Sequence, residues 1–379
     1  MKHAGLNMAQ VKRQNRSSIL NCICEVGPVS RKDIAEKTGL TPAAVTQICG
    51  DFMAQGLLFE TGQITQSQGA GRKKILVDIN YDYAYVLAVS IEQEQTTIAL
   101  TNMKGEAGEI VAFATKTAAT PEELLKQIAD TCRKMLVTHK DCSEKVAGVS
   151  VAIAGIVDKD NGISVHAYGI WQEKVKVCDI LRQELGYPVQ IENNVNAFAM
   201  AELMYGMGRK YDNLLIVKWG PGVGSTIIID NKVYEGRHAK AAELGHFIVE
   251  RDGMLCNCGR RGCLETKVSY HALSKKKPFE PRRFGDVYRE ALAKGDAKAY
   301  EEAMDLFART IVNSITILAP NRVVLCGSLF ADGQVRERLI SYCKRYDAQY
   351  DEGRISYSIL APQEDYIGAV ASFVQNEIF

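Results

Sequence analysis

The chain has 379 residues, 46% of them hydrophobic and 24% charged, with 46 Lys and Arg against 45 Asp and Glu. That length accommodates two or three domains with their own cores, and a formal net charge of +1 excludes a global field that recruits a polyanion, so any nucleic-acid affinity has to be local. Eleven cysteines without a disulfide-like framework fit a reducing cytoplasm, residues 1–10 lack the apolar core of a signal peptide, and the longest apolar run, 146–157, is shorter than the roughly 20 residues of a membrane span.

Ile19, Leu20, Ile23 and Cys24 form a helical stripe that predicts a helix over 14–25, ended by Gly27-Pro28. Ser30 is the N-cap of a second helix, 31–38, with Asp33 in the place of the capping-box acid. Gly39-Leu40-Thr41 makes a tight turn, and Thr41 followed by Pro42 opens a third helix that runs to about 55. Two short helices joined by a glycine-containing turn are a helix-turn-helix candidate, although small helical bundles share the pattern. Strands over 57–60 and 75–79 flank Gly69-Ala70-Gly71-Arg72-Lys73-Lys74 and complete a winged helix with a basic wing. Residues 1–75 hold ten Lys and Arg against five Asp and Glu, a head of +5 on a body of −4, which is the asymmetry that phosphate contact needs. In this reading Thr41, Ala43, Ala44, Thr46 and Gln47 enter a major groove. Gln47 can pair with adenine through two hydrogen bonds, and Ala43, Ala44 or Thr46 can meet a thymine methyl group. Arg31, Lys32, Arg72, Lys73 and Lys74 are the expected phosphate or minor-groove contacts.

From about residue 76 the pattern becomes α/β. Strands are predicted over 85–91, 96–101 and 109–115, a helix over 121–137, a buried strand over 146–157, a helix over 177–185 and a strand over 189–191. A second series starts the same way, with strands over 213–218 and 225–230, helices over 284–293 and 299–318, strands over 322–326 and 355–360, and a last helix from about 368. The expected domains are therefore 1–75 and 76–379, the latter in two lobes, about 76–210 and 211–379, that share an opening and enclose a cleft. The basic, proline-bearing stretch 275–283 reads as an exposed linker.

Between these elements lies a turn-rich segment, 243–265. Cys256, Cys258 and Cys263 follow a Cys-x-Cys-x4-Cys spacing, and Gly259 and Gly262 let the chain fold back so that three thiolates converge. His246, across a turn at Gly253, can supply a fourth ligand. Zinc prefers such a tetrahedral sulfur and imidazole set, and four protein ligands close the site, so the expected Zn2+ is structural.

The segment 243–265 resembles the zinc signature of the ROK family, which groups sugar kinases with sugar-responsive transcriptional repressors, and the segment 30–47 resembles the winged helix-turn-helix at the front of the family's repressors. The resemblance implies a two-lobed, actin-like, hexokinase-type body behind the head, and sugar contacts at Glu243, His246 and Glu265. The second phosphate loop of the family's kinases is similar to Gly220-Pro221-Gly222-Val223-Gly224-Ser225 here. The first is not: where they have an Asp, a glycine pair and Thr, this chain reads Ser90-Ile91-Glu92-Gln93-Glu94-Gln95-Thr96. Where they have an Asn followed by the catalytic Asp, this chain has Asn193-Asn194, and a neutral amide is no general base although it still binds a sugar hydroxyl. Ala154-Gly155 stands where the family usually has Pro-Gly. The expectation is a bacterial, cytoplasmic, nucleoid-associated sugar-responsive repressor without catalytic residues. It binds double-stranded operator DNA as a homodimer or higher homo-oligomer and does not engage a membrane. The alternative is an active ATP-dependent sugar kinase with a DNA-binding head.

Overall fold

Asn7 and Gln10 close a reciprocal capping box, so helix α1 (Met8–Val26) begins well before its apolar stripe. A computed structural model describes residues 7–65, 74–115, 120–237, 241–273, 284–347, 349, 351 and 353–379. Strand β1 (Val29–Ser30) leads into α2 (Arg31–Thr38) and α3 (Pro42–Ala54). Ser30 and Thr41 cap these helices by accepting the backbone N–H groups of Asp33 and Ala44, and Gly39, at φ 71°, ends α2 in the left-handed conformation. Strands β2 (Leu58–Thr65) and β3 (Lys74–Ile79) pair antiparallel, and β1 joins β3, giving a three-stranded wing sheet in the order β1-β3-β2. Lys74 Nζ lies 2.7 Å from Asp33 Oδ1 and ties this sheet to α2. Arg72 and Lys73, like the stretch 275–283, lie outside the described residues.

The first lobe contains β4 (Tyr85–Ile91), β5 (Gln95–Asn102), β6 (Ala107–Ala114), α4 (Pro121–Thr138), α5 (Lys140–Ser143), β7 (Val146–Ile153), β8 (Ile156–Asp158), β9 (Ile163–His166), α6 (Val177–Leu185), β10 (Val189–Asn193) and α7 (Asn194–Tyr205). The expected strand over 146–157 is broken in two. Gly155, at φ 119°, packs so tightly on the His166 carbonyl that a Cβ would lie 2.1 Å from it, and the chain turns there into the separate β8-β9 hairpin. The second lobe contains β11 (Leu214–Trp219), β12 (Val223–Ile229), β13 (Lys232–Val233), α8 (Glu265–Val268), α9 (Tyr270–Leu273), α10 (Phe284–Ala293), α11 (Lys298–Leu318), β14 (Arg322–Cys326), α12 (Gly333–Tyr346) and β15 (Ile355–Tyr357), and the last helix, α13 (Glu364–Phe373), returns to pack on α7, β4 and β7 of the first lobe.

The two sheets repeat one plan. In the order β10-β7-β4-β5-β6, β4, β5 and β6 form an antiparallel meander, β7 runs parallel to β4 and β10 parallel to β7. In the order β13-β12-β11-β14-β15, β11, β12 and β13 form the meander and β14 and β15 follow in parallel. Each lobe buries its own core, one around Leu87, Ile128 and Val151 and the other around Trp219, Phe307 and Leu325. A third core is continuous from Ile19, Ile23 and Phe52 of the head to Phe198 and Met204 of α7 and Ile367 of α13. Helix α13 seats directly on α7, since a Cβ on Gly368 would come within 2.8 Å of the Phe198 nitrogen. No described helix is long and apolar enough to cross a membrane.

Candidate sugar and metal site, and the DNA-facing head

The metal loop folds on itself through the antiparallel bridges Ile248 to Cys263 and Leu255 to Arg261. His246 is buried, with its Nδ1 at 3.5 Å from Cys256 Sγ, and Cys258 Sγ lies 3.6 Å from Cys263 Sγ. All four ligand atoms fall within 4.8 Å of one another. Tetrahedral bonds of about 2.0–2.3 Å separate ligand atoms by roughly 3.5–3.8 Å, so the set is already near the geometry of a bound ion. Three sulfurs and an imidazole, with no carboxylate, suit a soft-tolerant cation rather than calcium or magnesium. Burial, and then the charge of Arg260, lower the His246 pKa and keep the imidazole in its neutral, ligating form.

The same histidine faces the cleft. Its Nε2 lies 3.7 Å from Glu243 Oε2, so one ring nitrogen turns to the thiols and the other to the carboxylate. A cavity of about 400 Å³ brings together all five residues expected to contact sugar: Asn193, Asn194, Glu243, His246 and Glu265. Their environments differ. Asn193 caps α7, with Oδ1 accepting the Val195 and Asn196 N–H groups at 2.9 and 3.1 Å and Nδ2 donating to the Gly155 carbonyl at 2.8 Å. Its amide therefore holds the Ala154-Gly155 loop to the start of the helix. Asn194, one residue on, donates from Nδ2 to Glu92 Oε1 at 3.2 Å. Glu265 opens α8 and accepts the Val223 N–H of the glycine loop at 3.0 Å.

Three further residues escape the sequence reading. Tyr168 borders the cavity and packs edge-on against His246, with ring centroids 5.8 Å apart. Lys218 Nζ lies 2.5 Å from Glu92 Oε1 and 3.6 Å from Glu364 Oε1, and Glu364 accepts the Gly327 N–H at 2.9 Å. Desolvation pushes Glu92 upward, but the charge and hydrogen bond of Lys218 outweigh it and hold the carboxyl below its ordinary range. Desolvation likewise works against the Lys218 ammonium, and the two glutamates overcome it and raise its pKa. The available signal is a single lysine inside the otherwise apolar strand Leu214–Trp219, since a buried charge requires a partner.

In the head, Thr41, Ala43, Thr46 and Gln47 are exposed near the start of α3, and Ala44 is half-buried. Thr41 is used as the cap, and the Thr46 hydroxyl donates back to the Pro42 carbonyl at 2.8 Å, leaving its methyl group as the outward feature. Arg31 donates to Glu60 Oε1 at 2.9 Å, and exposed Lys32 lies 3.6 Å from Glu36. Of the expected phosphate contacts, Arg31, Lys32 and Lys74 each lie within ion-pair distance of a carboxylate of the head.

Helix α7 links the two regions. Its first turn carries Asn194, and the head docks on its far end, where Cys24 Sγ donates to the Met204 carbonyl at 3.5 Å. Just beyond, Arg209 Nε donates to the Glu25 carbonyl at 2.7 Å, close to the end of α1. Twelve residues of α-helix span about 18 Å.

The ROK family matches residues 86–374, and the family described as winged helix-turn-helix DNA-binding matches residues 12–58. The putative xylose repressor of Caldicellulosiruptor sp. (strain Rt8B.4) is 26% identical over 98% of each chain. The DNA-binding transcriptional dual regulator NagC of Escherichia coli is 26% identical over 97% of this chain and 93% of its own. Among solved structures, a ROK family transcriptional regulator, a homologue of the E. coli MLC protein, superposes with a TM-score of 0.76 at 20% identity over 96% of this chain and 97% of its own. A ROK family glucokinase from Streptomyces griseus in complex with glucose and AMPPNP gives 0.64 at 23% identity over 76% of this chain and 98% of its own, so the body has the kinase fold. With more than half its length matched to that family, and a winged helix-turn-helix ahead of the match, the chain belongs to the ROK family.

Proposed function

We propose that the protein is a sugar-responsive DNA-binding repressor whose cleft reads a sugar or sugar derivative and whose winged helix reads a double-stranded operator. The observation that carries this reading is the placement of Asn194 and the docking site of the head at opposite ends of α7. A sugar that favours one closure of the lobes bears on the start of α7 and is felt by the head at its end, so it shifts the population of DNA-competent arrangements. His246, Cys256, Cys258 and Cys263 would hold Zn2+, which would fix the imidazole that faces Glu243 and, closed by four protein ligands, would supply rigidity rather than chemistry. At the DNA end, Gln47 reads a base and the methyl groups of Ala43, Ala44 and Thr46 define its neighbours. A pair of heads in a homodimer or larger homo-oligomer, acting in the cytoplasm, matches a palindromic operator. Catalysis is absent from this reading because Asn194 offers a neutral amide where a hydroxyl proton would have to be removed, and because full-length relatives are named as repressors.

Arg209 supplies the test. Arg209→Gln removes its guanidinium hydrogen bonds to the Glu25 carbonyl and leaves both binding surfaces intact. Operator affinity without sugar and sugar affinity without DNA should stay close to wild type, while the effect of sugar on operator affinity shrinks by about threefold or more. Fluorescence anisotropy on a DNA fragment recovered by the protein, with and without a sugar that raises its Tm, reads the operator affinity and the sugar effect, and calorimetric titration of the protein alone with that sugar reads the sugar affinity. An undiminished sugar effect would remove Arg209 and the end of α7 from the coupling route.

A further inference from the structure

The repeated plan of the lobes sets two equivalent hairpins face to face. The β4-β5 tip of the first lobe carries Glu92, Gln93 and Glu94, and the β11-β12 hairpin of the second carries Lys218 and the glycine loop. The three side chains of the first tip are all docked. Glu92 meets Lys218 and Asn194. Gln93 fills the space above Gly169, where a Cβ would lie 2.4 Å from its amide, and Glu94 Oε1 is 3.3 Å from His271 Nε2 of α9. Across the cleft, groups that would hold an anion are already engaged. The Lys218 ammonium sits between Glu92 and Glu364, the Gly220 N–H donates to the Gly222 carbonyl at 3.0 Å, and the Val223 N–H donates to Glu265.

We infer that the β4-β5 tip is a resident plug in the phosphate half of the cleft: the Glu92 carboxylate occupies Lys218 as a tethered anion, joins the two lobes and excludes nucleotides. A buried ammonium has to be paired, and a carboxylate fixed to the chain is always at hand, whereas a phosphate must displace it and bring its own charge beside Glu364. The plug stands on the geometry alone. Its consequence, that the lobes close on sugar without a nucleotide, rests on the sugar-binding reading above.

The test is calorimetric titration of the full-length protein with inorganic triphosphate and with magnesium ADP. Wild type should show no saturable binding below about 1 mM. Glu92→Gln keeps an oxygen acceptor for Asn194 but removes the charge, and Glu92→Gly removes the side chain. Each should bind triphosphate at least about tenfold more tightly than wild type, and Lys218→Met added to Glu92→Gln should abolish the gain. Sub-millimolar nucleotide binding by wild type would overturn the plug. So would Glu92 variants that keep the wild-type circular dichroism and Tm yet gain no triphosphate affinity. A Tm panel with sugars run alongside separates the two ideas: no sugar response with the triphosphate pattern intact removes the regulator reading and leaves the plug.

Discussion

Gly262→Ala should destabilise the protein by roughly 2–5 kcal/mol and strip much of its metal, whereas Gly259→Ala should cost only about 1 kcal/mol and leave the metal in place. Both residues have left-handed backbones, with φ 75° at Gly262 and 84° at Gly259, so the conformational strain of a side chain is common to both. The surroundings decide the difference. A Cβ at Gly262 would lie 1.8 Å from the Glu250 carbonyl oxygen, a backbone atom that cannot rotate aside, while a Cβ at Gly259 meets nothing within 4 Å. Gly262 is also where three strands of the loop cross: its carbonyl accepts the Val249 N–H at 2.8 Å and its N–H donates to the Met254 carbonyl at 2.9 Å. Moving that crossing drags Cys263 away from Cys258 without touching a ligand. Thermal unfolding with metal analysis of the two variants checks this, and equal losses in both would mean that strain alone, not the crossing, shapes the loop.

Removing the proposed zinc should be the other large effect. Burial pushes the Cys256 thiol up to about 12, so the thiolate needs a compensating cation, and binding an ion there releases a proton. Zinc binding in small zinc-dependent folds is worth about 10–16 kcal/mol, and if a quarter of that is lost with the ion, roughly 3 kcal/mol, Tm of a chain of this length should fall by roughly 4 °C. We expect that fall on exhaustive chelation, and also for Cys256→Ser, together with loss of any sugar-induced rise in Tm because His246 and Glu243 are no longer held. Re-addition of zinc should restore the chelated wild type but not the variant. An unchanged Tm and sugar response after chelation would refute a structural ion.

What was legible in the sequence was local. Ser30, Thr41 and Thr120 cap helices within three residues of themselves, and their helices appear where those caps place them. The metal cluster was legible because three of its ligands and the glycines that bend the chain between them lie within eight residues. Helix α7 was not, since Val195, Ala197, Phe198, Ala199, Ala201 and Met204 are buried around its whole circumference and leave no amphipathic stripe. Helix α12 does carry a signal, with Asp332 as cap and Val335, Leu339, Tyr342 and Cys343 at helical spacing, and it went unread. Partners distant in the chain were beyond any local pattern: Lys218 finds Glu92 across 126 positions, and Arg31 finds Glu60 across 29. The same distance effect hides from the sequence that Arg31 pairs with Glu60 and Lys74 with Asp33.

The most direct measurement is selection of sheared genomic DNA by the purified full-length protein, repeated in the presence of each member of a panel of pentoses, hexoses, N-acetylhexosamines and their phosphates. A repressor built around α7 should enrich a palindromic site, and one class of sugar should change that enrichment by about five- to a hundred-fold, the range of ordinary allosteric coupling. Enrichment of no site at low salt, or of a site indifferent to every sugar that raises the protein's Tm, would contradict it.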